Sequence, residues 1–141
     1  MHFITGGRFN GKSEWVKEFY QLEDTPHKWI SAYHGEFPDD LDYQLIVFEG
    51  IEQMIREWSS TLEFEEIRGK WQAQLEKWLK WEKAAVNRKM VLIGSDMSKG
   101  IVPMEAADRK WRDASGWAFQ DAAAAADRVD LIWYGISQKI K

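Results

Sequence analysis

Short apolar segments alternate along this chain with longer stretches in which hydrophobic residues recur at helical spacing. Continuous or alternating apolar runs are typical of strands, and spacing of three and four residues is typical of helices. Strands are predicted over residues 2–5, 27–33, 44–49, 90–95 and 129–134. Helices are predicted over residues 12–22, 51–59, a longer segment that begins at Thr61, and 105–126. Residues from Gly135 onward are expected to form a short tail.

Strands that alternate with helices predict an α/β fold, with a mostly parallel sheet and helices on both faces. No linker, repeat or low-complexity tract interrupts the pattern, so residues 1–141 are expected to form a single domain. The two longer helical segments each have one apolar stripe, which we expect to pack in the core or at a subunit interface. In the first segment the stripe consists of Phe64, Ile67, Trp71, Leu75, Trp78 and Leu79.

Composition limits the classes of partner. The chain has 141 residues, 45% hydrophobic and 30% charged, with a formal net charge of −4 and a sequence pI of about 5.4. Because nucleic-acid binding depends on basic patches, this acidic balance argues against a nucleic-acid partner. The absence of cysteine excludes disulfides and thiolate metal sites. No apolar run is long enough to span a membrane and no basic leader is visible, so we expect a cytoplasmic protein.

The segment between the first strand and the first helix carries the main functional signal. Residues 6–13 match G-x-x-x-x-G-K-[S/T], the phosphate-binding loop (P-loop) of nucleotide-binding proteins. Glycines let successive backbone N–H groups point at phosphate oxygens, and the following helix adds a partial positive charge. In such loops the lysine reaches the β- and γ-phosphates and the serine hydroxyl ligates Mg²⁺. The predicted nucleotide-binding residues are Gly6, Gly7, Arg8, Phe9, Asn10, Gly11, Lys12 and Ser13.

Two carboxylates follow strands that are predicted to be buried. Glu49 ends the run 44–49, and Asp96 follows the run 90–95. Ligands of parallel sheets collect at the carboxyl ends of strands, so we predict both acids to be catalytic together with Lys12, and Glu49 to share a metal with Ser13. Both have a structural alternative, since an acid ahead of a helix also stabilises the N-terminus of that helix.

An ordered set of motifs in the last third of the chain resembles one family. The set is Gly100-Ile101-Val102-Pro103, Arg109-x-x-Arg112-Asp113-x-x-Gly116-x-x-x-Gln120, Ala123-Ala124-Ala125-Ala126-Asp127-x-Val129, Gly135-Ile136 and the ending Lys139-Ile140-Lys141. With the opening Ile4–Ser13, it is similar to the bifunctional adenosylcobinamide kinase/adenosylcobinamide-phosphate guanylyltransferase family of cobalamin biosynthesis. The two matching ends cover about the first 20 and the last 45 residues.

This resemblance implies a P-loop NTPase-type fold, and a trimer of identical subunits. It implies ATP or GTP with Mg²⁺, phosphorylation of a hydroxyl on the aminopropanol arm of adenosylcobinamide, and transfer of GMP from GTP through a histidine on the segment after the second strand. Arg112, in the family's R-x-x-R-D-x-x-G pattern, is predicted to contact nucleotide phosphates or a neighbouring subunit. The alternative for Arg112 is an ion pair with Asp113 or another acid.

The segment that would carry the nucleophilic histidine departs from the family pattern. Only His34–Asp42 separates the second and third predicted strands, and the neighbours of His34 include Glu36, Asp39 and Asp40. A guanylylated imidazole needs basic neighbours to offset charge, so the sequence favours the kinase reaction over guanylyl transfer. Two alternatives stay open: a non-catalytic nucleotide-binding or scaffolding relative, and a P-loop kinase for another small molecule.

Overall fold

The computed structural model describes residues 1–97 and 105–141. The predicted turn at Gly100–Pro103 lies outside these residues. In chain order the elements are β1 (His2–Gly6), α1 (Lys12–Phe19), β2 (Lys28–Ser31), a 3₁₀ turn (Ala32–His34), β3 (Leu45–Glu49), α2 (Ile51–Ser59), α3 (Phe64–Lys83), β4 (Lys89–Ser95), α4 (Ala106–Ala125), β5 (Arg128–Trp133) and β6 (Ile136–Lys139).

One six-stranded sheet runs through the molecule in the order β2-β3-β4-β1-β5-β6. The first five strands are parallel and β6 pairs antiparallel with β5. This arrangement confirms the predicted α/β fold of the P-loop NTPase type. The register pairs Gly6 of β1 with Ser95 of β4, and Glu49 of β3 with Ile93 of β4. The carboxyl ends of the central strands therefore meet at one edge of the sheet, where ligands of such folds bind.

Helices cover both faces of the sheet, as predicted. Helices α2, α3 and α4 pack on one face, where Phe3 of β1 points into the larger hydrophobic core. Helix α1 covers the other face, where Ile4 joins Val16 in a smaller core. Within the described ranges 1–97 and 105–141, no helix has both the length and the apolar character needed to cross a bilayer.

The tryptophan stripe of α3 forms part of the larger core rather than an exposed face. Trp71 and Trp78 are fully buried, with ring centroids 5.8 Å apart in an edge-to-face arrangement. The Trp71 indole N–H donates a hydrogen bond of 2.8 Å to the carbonyl oxygen of Ala118 in α4. This bond satisfies the donor of the buried Trp71 indole and joins α3 to α4.

The prediction of a C-terminal tail is wrong, because residues 136–139 form β6. Trp133 pairs with Ile136, so Tyr134 and Gly135 form a two-residue hairpin turn. Both have positive φ, 52° and 71°, as a tight turn between right-twisted antiparallel strands requires. All four residues of β6 are exposed and show no apolar alternation, so the strand was invisible to pattern analysis.

Three other boundaries differ from the predictions by two residues or more. Helix α1 ends at Phe19 instead of residue 22, and Gln21 adopts a left-handed conformation with φ of 51°. Strand β2 ends at Ser31, where the 3₁₀ turn takes over. Helix α3 begins at Phe64 rather than Thr61, because Glu63 is its N-cap and forms a reciprocal capping box with Glu66.

A buried polar cluster ties α1 to the sheet on the smaller-core side. The His2 side chain is 1% exposed, with Nε2 2.6 Å from an Asp130 carboxylate oxygen and Nδ1 2.6 Å from the Tyr20 hydroxyl. Arg128 Nε donates to the same carboxylate at 2.7 Å. Burial lowers the pKa of His2 below its usual value, and this effect outweighs the opposing attraction of Asp130. The neutral imidazole therefore fits between the hydroxyl and the carboxylate.

Candidate nucleotide-binding site

The loop from Gly6 to Ser13 joins the end of β1 to the start of α1, which is the strand-loop-helix context that the motif requires. Gly6 has φ of 148°, and a Cβ there would lie 2.3 Å from the backbone oxygen of Ile132. Gly11 has φ of 86° and is the N-cap of α1. Both positions need glycine, one for close approach to β5 and one for the turn into the helix. The N-terminus of α1 thus faces the loop.

Lys12 folds back over the loop. Its Nζ donates a hydrogen bond of 2.7 Å to the carbonyl oxygen of Gly7, and the residue is buried. Burial lowers the pKa of Lys12, while the carboxylates of Glu52 and Glu49 favour its charged form. The Lys12 amine therefore lies inside the loop, where phosphate oxygens of a ligand would replace the Gly7 carbonyl as its acceptor.

Ser13 and Glu49 meet beside this lysine. The Ser13 hydroxyl donates to a Glu49 carboxylate oxygen at 3.1 Å, which joins the first turn of α1 to the end of β3. Hydroxyl and carboxylate oxygens suit Mg²⁺, which is commonly held by one or two protein oxygens together with phosphates and water. Across residues 1–97 and 105–141, no group of three or more His, Cys, Asp or Glu side chains forms a metal cluster. The Ser13–Glu49 pair fits a cation that the phosphates of a nucleotide help to hold.

These residues border a pocket of about 510 Å³ at the carboxyl edge of the sheet. Ser95 and Ile93 of β4 form its floor together with the end of β3, and residues of α2 and the 3₁₀ turn close one side. The lining consists of Arg8, Phe9, Gly11, Lys12, Ser13, Glu14, Tyr33, Glu49, Gly50, Gln53, Ile93 and Ser95. Its size is in the range of small-molecule sites.

Glu52 is a buried carboxylate that sequence analysis missed. It is 1% exposed in the first turn of α2, accepts a 2.9 Å hydrogen bond from the Ser95 N–H, and accepts another from the Tyr33 hydroxyl. Its backbone oxygen accepts from the Trp111 indole at 2.7 Å. Burial and the bond to Glu52 raise the pKa of the Tyr33 hydroxyl. Glu52 thereby joins α2, β4, α4 and the 3₁₀ turn next to the pocket. In the sequence it is marked only as an acid three residues after the end of a strand.

The structure brings some of the other predicted residues to the loop and leaves one elsewhere. The Asp96 N–H donates to the Gly6 carbonyl oxygen at 2.9 Å, so Asp96 flanks the loop at the end of β4. Arg112 lies on α4 and forms an ion pair of 3.1 Å with Asp113, which is the alternative considered above. It borders a separate surface pocket with Phe64 and Trp117. Within one chain, Arg112 does not line the pocket of the loop.

His34 lies in the 3₁₀ turn after β2. Its side chain is 77% exposed, and Nδ1 lies 4.0 Å from a Glu36 carboxylate oxygen. Of the acidic neighbours expected from the sequence, the structure places Glu36 beside His34.

Comparison with known proteins identifies the family. A family model described as cobinamide kinase / cobinamide phosphate guanyltransferase matches residues 32–140. The chain belongs to this family. The cobinamide kinase / cobinamide phosphate guanyltransferase match begins after β2, so the loop at residues 6–13 is an observation independent of it.

Two curated relatives are similar over a shorter stretch. Both are named bifunctional adenosylcobalamin biosynthesis protein CobU, from Salmonella typhimurium and Escherichia coli, and they are 45% and 43% identical to this chain over 53 residues. The aligned stretch covers 38% of this chain and 29% of each relative. The family resemblance drawn from the sequence is confirmed.

Proposed function

We propose that this protein binds a nucleoside triphosphate with Mg²⁺ at residues 6–13 and transfers the terminal phosphoryl group to a hydroxyl of an adenosylcobinamide-type acceptor. The observation that carries the proposal is the convergence of Lys12, Ser13 and Glu49 at one pocket in a chain of this family. ATP and GTP both fit this chemistry, because the loop recognises phosphates. The acceptor class comes from the family description.

Phosphoryl transfer needs positioning and charge neutralisation more than covalent help from the protein. Lys12 would offset the charge of the β- and γ-phosphates in place of its bond to Gly7. Ser13 and Glu49 would hold Mg²⁺, which would neutralise the charge that develops on the phosphates. Asp96, beside the loop at the end of β4, is proposed as the further catalytic acid.

Guanylyl transfer is not part of the proposal. That reaction needs an imidazole that faces the α-phosphate among basic groups. His34 is exposed beside Glu36, His2 is buried between Tyr20 and Asp130, and His27 contacts the Thr25 carbonyl oxygen. These are the three histidines of the chain, and among residues 1–97 and 105–141 none of them has that environment.

The direct test combines the purified protein, Mg²⁺, ATP or GTP, and adenosylcobinamide. Mass spectrometry is expected to detect the phosphate ester. Lys12→Ala should lose product and bind nucleotide more weakly. Lys17→Ala is the matched control, because Lys17 is an exposed lysine of the same helix that pairs with Glu14. No product, together with unchanged nucleotide binding by Lys12→Ala, would refute the proposal.

Two further outcomes separate the alternatives. Nucleotide binding that depends on Lys12 but gives no product with adenosylcobinamide would identify a non-catalytic relative or a kinase for another acceptor. Incubation with α-labelled GTP should leave no acid-labile label on the protein; a phosphoramidate at His34 would restore guanylyl transfer. The homotrimer that the resemblance implies is tested by light scattering.

A further inference from the structure

The β5–β6 hairpin is attached directly to the phosphate-binding loop. The Gly135 N–H donates to the Asn10 carbonyl oxygen at 2.8 Å, and the Tyr134 N–H donates to the Asn10 side-chain oxygen at 3.3 Å. Gly11 approaches the hairpin so closely that a Cβ there would lie 3.3 Å from the Cα of Gly135. The hairpin turn therefore packs against the loop, on the side of β1 opposite to β4.

Three aromatic side chains around this junction are exposed. Phe9 is fully exposed, Tyr134 is 81% exposed and Trp133 is 55% exposed. The Trp133 and Tyr134 rings stack at 6.1 Å with planes inclined by 25°. Phe9 and Tyr134 also have positive φ, 61° and 52°. The hairpin turn accounts for this conformation in Tyr134, and in Phe9 it lies within the loop itself. We refer to Trp133 and Tyr134 as the aromatic surface, whereas Phe9 borders the pocket described above.

The two sides of the loop differ in chemistry. Ser13, Glu49 and Ser95 lie on the side of β3 and β4, where the metal and the terminal phosphate would sit. Strand β5 flanks β1 on the other side and leads into the aromatic surface. If the terminal phosphates and the metal of a nucleotide lie on the side of β3, its nucleoside extends towards β5. A purine base has apolar π faces, which stack favourably on aromatic side chains.

We propose that the base of the bound nucleotide stacks on the aromatic surface, with Tyr134 as its main contact. This inference rests on the proposed function, because it needs a nucleotide with its phosphates in the loop. It assigns Tyr134 to nucleoside affinity, and it assigns Lys12 to phosphate affinity. The hydrogen bonds from the hairpin to Asn10 fix the distance between the two subsites.

Calorimetry with a phosphate-only ligand separates the two subsites. Binding of ATP, GTP and inorganic tripolyphosphate, each with Mg²⁺, is measured for the wild type and for Tyr134→Asn. Asparagine tolerates the left-handed conformation, so this change removes the ring without straining the turn. Tyr134→Phe keeps the ring. Tyr43→Asn is the matched control, since Tyr43 is an exposed tyrosine that precedes β3 and therefore lies at the amino ends of the strands, away from the loop. Melting temperatures verify that every variant is folded.

Tyr134→Asn is expected to weaken nucleoside triphosphate binding about 5- to 150-fold and to leave tripolyphosphate binding unchanged. Tyr134→Phe and Tyr43→Asn should behave as the wild type. Equal losses for nucleotide and tripolyphosphate would overturn the inference, because Tyr134 would then only shape the loop. Unchanged nucleotide binding would overturn it too. If light scattering then shows that Tyr134→Asn dissociates an oligomer, the aromatic surface is a contact between copies. Lys12→Ala distinguishes these failures: if it binds all three ligands normally, the proposed function itself fails.

Discussion

Replacement of Glu52 by alanine is expected to destabilise the fold, because it removes an acceptor that several elements share. The carboxylate is buried and accepts hydrogen bonds from the Ser95 N–H at 2.9 Å and from the Tyr33 hydroxyl. Ser95 is 5% exposed, so its N–H would lose its acceptor in a largely buried position when the carboxylate is removed. Tyr33 is 51% exposed, and its hydroxyl could turn towards solvent. The two losses are therefore unequal.

The magnitude follows from these two contacts. A buried N–H left without an acceptor costs about 1–3 kcal/mol, and the lost bond of a half-exposed hydroxyl adds about 1 kcal/mol. Glu52→Ala should therefore lower the free energy of unfolding by about 2–4 kcal/mol. Glu52→Gln should cost less than about 1 kcal/mol, since the amide oxygen can accept from Ser95 and the amide N–H can donate to Tyr33.

Urea unfolding at neutral pH, followed by circular dichroism and tryptophan fluorescence, measures this difference. Glu57→Ala is the control, because Glu57 is an exposed acid of the same helix and its loss should change stability by no more than about 0.5 kcal/mol. If Glu52→Ala is as stable as Glu57→Ala, the hydrogen bonds contribute nothing and the reasoning fails. If Glu52→Gln is as unstable as Glu52→Ala, the negative charge near Lys12 provides the stability instead.

Three further predictions concern the loop and the buried cluster. Gly6→Ala should lower the stability measured by thermal unfolding by about 3 kcal/mol or more, because its Cβ would clash with the backbone of β5. Gly69→Ala is the control: its Cβ would lie in open space on α3, so it should raise the stability by about 0.5–1 kcal/mol. Equal effects of the two substitutions would contradict this reasoning. Because burial lowers the pKa of His2, the unfolded chain binds its proton more readily, so stability should fall as the pH drops below about 6.5. Urea midpoints between about pH 7.5 and 5.5 should show a weaker dependence for His2→Gln, and an unchanged slope would refute the assignment. Ser13→Ala and Glu49→Gln should each raise the Mg²⁺ concentration needed for nucleotide binding about tenfold, measured by calorimetry; no change would remove the pair as metal ligands.

The parts of the site that sequence analysis predicted are those with local signals. Gly6, Gly11, Lys12 and Ser13 follow one another in a motif whose spacing reflects the geometry of a single loop. Glu49 ends an apolar run, and parallel strands bring such ends to one edge of the sheet. The α/β fold was predictable for the same reason, because buried parallel strands are continuous apolar runs.

The parts that escaped prediction depend on contacts between distant segments. Glu52 looks like an ordinary acid in the first turn of a helix, and only the packing of α2 against β4 buries it. Strand β6 has no alternation, and it forms because Tyr134 and Gly135 adopt a turn that returns the chain to β5. The sequence pattern around Arg112 suits both an ion pair and a phosphate contact, and the choice between them depends on where α4 lies.

The loop is held from three directions. On one side the Asp96 N–H donates to Gly6, and on the other the Gly135 N–H donates to Asn10. Inside, Lys12 donates to the carbonyl oxygen of Gly7. A phosphate that enters this loop need not order the backbone, so little binding free energy is lost to conformational entropy. It exchanges a neutral acceptor of Lys12 for a charged one, and hydrogen bonds between charged partners are about twice as strong. If the loop binds a phosphate as proposed, the Lys12 ammonium would exchange its hydrogen bond to Gly7 for a stronger one.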